Sequence, residues 1–67
     1  MVNIWKYSDY DGVIKIITND GYEYIGKVFY VEDIDENAGE DDCLVLYVGD
    51  VIFGINQKDI KEIIEME

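Results

Sequence analysis

Val13-Ile14-Lys15-Ile16-Ile17-Thr18-Asn19, then Asp20-Gly21, then Tyr22-Glu23-Tyr24-Ile25-Gly26-Lys27-Val28-Phe29-Tyr30-Val31-Glu32 is the stretch that decides the fold. Two runs rich in Val, Ile, Thr and Tyr flank Asp-Gly, the pair favoured by a two-residue type I′ hairpin because glycine relieves the positive φ of that turn. The stretch therefore reads as a β-hairpin turning at Asp20-Gly21. Ile14, Ile16 and Thr18 alternate with Lys15 and Ile17, which places the first set on one face. In the second run Tyr22, Tyr24, Gly26, Val28 and Tyr30 share a face, and Glu23, Ile25, Lys27, Phe29 and Val31 share the other. Glycine in mid-strand is costly unless a sharp bend or a close-passing backbone needs the space. Apolar residues on both faces of Gly26 point to a strand that curls through a small barrel.

Outward from this hairpin, the chain continues in strands. Cys43 to Val48 is a third, Gly49-Asp50 a second tight turn, and Val51 to Asn56 a fourth. Gln57-Lys58-Asp59 reads as a single turn. Ile60 to Met66 fits a short helix by the i, i+3, i+4 spacing of Ile60, Ile63 and Ile64. It fits a closing strand as well, and the strand is preferred because a barrel otherwise leaves an open edge. Residues 1–11, with Trp5, Tyr7 and Tyr10, read as an extended arm or short strand capping a barrel formed by residues 12–66. With no proline, repeat or linker, the 67 residues make one domain.

Composition narrows the function classes. Cys43 is the sole cysteine and histidine is absent, so an intrachain disulfide and a structural zinc site of the usual ligands are excluded. No apolar run reaches the ~20 residues that span a bilayer, and the N-terminus lacks the pattern of an export signal. The expectation is a cytoplasmic protein with no membrane partner. Sixteen carboxylates face five lysines and no arginine, giving a net charge of −11. Such a surface repels polyanions, since nucleic-acid binding relies on clustered Lys and Arg. The chain nevertheless carries enough apolar residues, 49%, to fold.

The spacing Ile14-x-Ile16-x-Thr18-x-x-Gly21-x-x-Tyr24-x-Gly26-x-Val28, ending near Asp33, resembles the first conserved segment of the Sm-like (LSm) family. Val51 to Ile63, with Asp59-Ile60-x-x-Ile63, resembles the second. Trp5-Lys6-Tyr7, the acidic stretch and Gln57-x-x-Ile60-x-x-Ile63 are similar to short acidic Sm-like proteins of low-GC Gram-positive bacteria, a group without an assigned activity. The resemblance implies an all-β fold: a small, five-stranded, strongly bent antiparallel SH3-like barrel. It further implies subunits joined through the fourth and fifth strands into rings that bind single-stranded RNA. Two departures weigh against RNA. The region of Asp33 runs into carboxylates, and Gly54-Ile55-Asn56 stands where the family has a basic residue followed by glycine. Tyr30 and Asn56 remain as vestigial base contacts, one for stacking and one for reading a base edge.

Glu32-Asp33-Ile34-Asp35-Glu36-Asn37-Ala38-Gly39-Glu40-Asp41-Asp42 gathers seven carboxylates in eleven residues. Asp33-x-Asp35-x-Asn37 matches the start of an EF-hand loop, but Ala38 and Leu44 stand where glycine and a bidentate Glu are required. The run reads first as a solvated loop between strands. Second, it reads as a docking surface for a basic protein partner through Glu32, Asp33, Asp35, Glu36, Glu40, Asp41 and Asp42. Catalysis lacks His, Arg and a buried carboxylate pair to build on, so the expectation is no enzyme, no cofactor and no metal. Three functions follow in order. The first is a non-catalytic interaction module that self-associates through its edge strands into a homo-oligomer. The second is an acidic decoy occupying the basic surface of a nucleic-acid-handling partner, and the third a ring-forming RNA binder.

Overall fold

A computed structural model of the chain describes residues 2–37, 39 and 41–66. Five antiparallel strands, β1 (Val13–Thr18), β2 (Glu23–Glu32), β3 (Cys43–Val48), β4 (Val51–Asn56) and β5 (Ile60–Glu65), form one sheet in the order β4-β3-β2-β1-β5. The all-β class and the strand reading of the last segment therefore hold. The sheet, however, is not closed: β4 and β5 are its two edges and do not pair with each other. The reason lies in the one 3-10 turn between them, Gln57–Asp59. Gln57 N–H donates to the Asp42 carbonyl at 2.8 Å, and Lys58 N–H to the Asp41 carboxylate at 2.6 Å. On the far side, the Asp59 carbonyl accepts from Asn19 N–H at 2.9 Å. Held from both flanks, the turn delivers Ile60 beside Thr18, and β5 runs along β1.

The first hairpin turns differently from its sequence signature. Thr18 N–H donates to the Tyr22 carbonyl at 2.9 Å, and Gly21 N–H to the Thr18 carbonyl at 3.0 Å. These bonds close a three-residue loop, Asn19-Asp20-Gly21, with Gly21 at φ +93°, the glycine-bulge alternative to the two-residue turn. Two side chains favour it. The Thr18 hydroxyl donates to the Asp20 carboxylate at 2.5 Å, and Asn19 is drawn away to the 3-10 turn, its amide donating to the Lys58 carbonyl at 2.8 Å. The second hairpin does turn on two residues, Gly49-Asp50, with Val48 opposite Val51 and Gly49 at φ +62°.

The strict alternation expected along β2 also breaks. Val28 pairs with Leu46 but Tyr30 with Val45, so Phe29 is an extra residue in a β-bulge. Beyond it, the faces exchange. Val31 joins the core, while Phe29 and Tyr30 are both exposed, with ring centroids 4.9 Å apart. Before the bulge, Gly26 shows why the strand needs a glycine. A Cβ there would lie 2.0 Å from the backbone oxygen of Tyr47 on β3. Of the two reasons the sequence left open, a bend or a close-passing backbone, the second is the one seen here.

Ile14, Ile16, Leu44 and Leu46 are fully buried, and Val31, Ile55 and Ile60 complete the core from the other strands. Its end is covered by the N-terminal segment, which forms a 3-10 helix over Ile4–Tyr7 in place of the extended arm or short strand read from the sequence. Asn3 accepts from Trp5 N–H at 3.1 Å at the start of that helix, and the carbonyl of Gln57's side chain accepts from Ile4 N–H at 3.2 Å. A helical turn lets Ile4 and Tyr7, three residues apart, drop together into the core.

Candidate functional site

The acidic stretch is not a uniform loop. Ile34–Asn37 forms one turn of α-helix, and Asp42 caps it by accepting from Ile34 N–H at 2.8 Å. The other oxygen of Asp42 accepts from the Trp5 indole N–H at 2.9 Å. Asp41 accepts both from Lys58 N–H and from Asp42 N–H, the latter at 2.9 Å. These two carboxylates therefore knit three segments of the chain, and only part of the run is free to face a partner. Asp35 is exposed, whereas Glu32 and Asp33 are half-buried. Glu40 and the side chain of Glu36 lie outside the described residues. Among the described residues, no three acidic or thiol groups gather as a metal site requires.

Tyr30 and Asn56, the two candidate base contacts, are not brought together. The Tyr30 hydroxyl donates to Glu32 at 2.9 Å on the outer face. Asn56 lines a cleft on another part of the molecule, and its side-chain oxygen accepts from the Cys43 thiol at 3.0 Å. Burial, chiefly, and the charges of Glu32, Asp41 and Asp42 raise the Cys43 pKa above its ordinary value of 9.0. The thiol is thus a protonated hydrogen-bond donor and a poor nucleophile at neutral pH.

Two surfaces remain. On the outer face, Phe29 packs against Tyr30 and against Tyr47, the second pair at 4.7 Å between centroids. Tyr47 stands opposite Ile52 on β4, so this apolar surface runs out to an unpaired strand edge. Val51 and Ile52 on that edge are 58% and 50% exposed. The second surface is a cleft of about 540 Å³ between β4 and the β1–β2 turn. Tyr22, Tyr24 and Phe53 supply its aromatic wall, and Asp20 and Asp59 its carboxylates. Tyr24 of β2 meets Phe53 of β4 edge to face at 5.1 Å, although β3 lies between their strands. That contact measures how far the sheet curls.

Sequence reading took Asn19 for the end of the first run and Asp20 for a turn residue, so it missed the cleft. The available signal was Asn19, a polar residue that a two-residue turn at Asp20-Gly21 leaves without work. Compared with family models, with curated proteins and with solved structures, the chain finds no match. No helix among the described residues is long and apolar enough to cross a membrane.

Proposed function

We propose that this chain is a non-catalytic, Sm-like interaction module that assembles with copies of itself through β4 and β5, the strands of an incompletely closed, bent barrel. The observation that carries the reading is the make-up of the β4 edge. Val51-Ile52-Phe53-Gly54-Ile55-Asn56 has no charge and no proline along six residues, two of the devices that commonly guard a natural edge strand. The opposite edge, β5, carries Lys61, Glu62 and Glu65 among its isoleucines. An unguarded edge and a different, charged one form a head-to-tail contact, which closes into a ring if the rotation permits. A small core without staples gains from such assembly.

Light scattering across tens of micromolar tests the reading: the wild type assembles, and Ile52→Lys, which places a cation on the edge, is a monomer with an intact sheet by circular dichroism. A monomeric wild type at those concentrations refutes it. The acidic-decoy reading ranks second on the net charge of −11, and the internal use of Asp41 and Asp42 weakens it. RNA binding ranks third, since sixteen carboxylates against five lysines and no arginine repel phosphate.

A further inference from the structure

The cleft between β4 and the first turn combines features that no self-association through the strand edges requires. Its walls are aromatic, its rim carries two carboxylates, and no lysine lines it. About 540 Å³ is the size of a small-ligand site. Asp20 is held at the rim by the Thr18 hydroxyl. Asp59 ends the 3-10 turn, whose backbone is fixed to Asn19. Tyr22 stands exposed beside them. Aromatic faces attract cations, and a flat guanidinium both stacks on a ring and meets carboxylates with directed N–H donors, which a compact ammonium does less well.

We propose that the cleft receives an arginine side chain from another protein. Both the charge and the geometry select this occupant: the site is anionic and aromatic, and the chain has no arginine of its own to fill it. The acidic stretch at residues 32–42 is not needed for this recognition. Edge pairing is not needed for it either, although Phe53, Gly54, Ile55 and Asn56 belong to both surfaces.

Amide NMR of the full chain tests it, with the blocked pentapeptide Gly-Gly-Arg-Gly-Gly as probe. The Gln and Lys counterparts and spermidine serve as comparisons. The expected result is saturable shifts at Asn19, Tyr22, Gly54 and Asn56 with the Arg peptide, weaker ones with Lys, and none with Gln. Asp59→Asn should weaken binding about fivefold, the worth of one partly exposed ion pair. Tyr22→Ala, on an exposed ring, should weaken it roughly threefold and guards against misfolding of the first variant. Shifts that are confined to residues 33–42, that do not saturate, or that persist unchanged in both variants overturn the proposal. Equal binding of Lys, or spermidine binding in place of the Arg peptide, overturns the arginine assignment.

Discussion

Two mid-strand glycines with one strand between them are built to opposite tolerances. Gly26, on β2, faces the Tyr47 backbone oxygen so closely that a Cβ would stand 2.0 Å from it. Gly54, on the β4 edge, would place a Cβ 3.5 Å from that of Cys43, an ordinary contact. The inner junction of β2 and β3 is thus a fixed hinge of the fold, and the outer edge has slack. A strand with room, no charge and exposed apolar residues suits a partner; a strand pressed against its neighbour does not.

The sharpest break of this contrast is Gly26→Ala. The methyl group collides with backbone that cannot rotate away, and a loss of about 3 kcal/mol in urea unfolding is expected. A loss under about 1 kcal/mol would mean the junction yields, and the contrast fails. Next in size is Asp42→Ala, which removes the acceptor for both Trp5 and Ile34. It should cost about 1 kcal/mol and change the emission of Trp5, the sole tryptophan. Asp35→Asn, at an exposed position of the same acidic run, should stay within about 0.5 kcal/mol of wild type. Equal effects at the two positions would return the run to a uniform loop.

Smaller still, Gly54→Ala should raise stability by roughly 0.5 kcal/mol, because alanine costs less chain entropy in a strand. Cys43, lying beneath that glycine, gives the last effect. Its raised pKa means the folded state holds the thiol proton more tightly than the unfolded chain does. Stability from this group is complete below the ordinary value of 9.0 and is lost as pH climbs past it. Tyr7, raised by burial first and by Glu65 second, adds a further decline above its ordinary value of 10.0. Unfolding midpoints taken from neutral to alkaline pH in wild type and Cys43→Ala separate the two: only the earlier decline should vanish. Should both curves coincide, the thiol is not the source.

Strand content was legible because local pattern dictated it. Ile14, Ile16 and Thr18 are buried and Val13, Lys15 and Ile17 half-buried, which repeats the alternation of the sequence, and Gly26 marked either a bend or a close backbone. What stayed hidden depended on partners distant in sequence. The bulge at Phe29 follows from how β3 packs, so the exchange of faces beyond it, and with it the exposure of Tyr30, had no local mark. The turn length at Asn19-Asp20-Gly21 was settled by bonds to Lys58 and Asp59, and the roles of Asp41 and Asp42 by Trp5, Ile34 and Lys58. The charge count shows sixteen carboxylates and says nothing of which ones the chain spends on itself.

The bonds from Asn19 to the 3-10 turn have a bearing on synthesis. The loop of the first hairpin is secured by residues about forty positions downstream, and β1 finds its outer neighbour only in β5. On the ribosome, then, an early-made hairpin waits for almost everything else to emerge before it locks. Chains released before residue 60 should be unstructured and fall to proteases, so a cell would see this domain either whole or not at all.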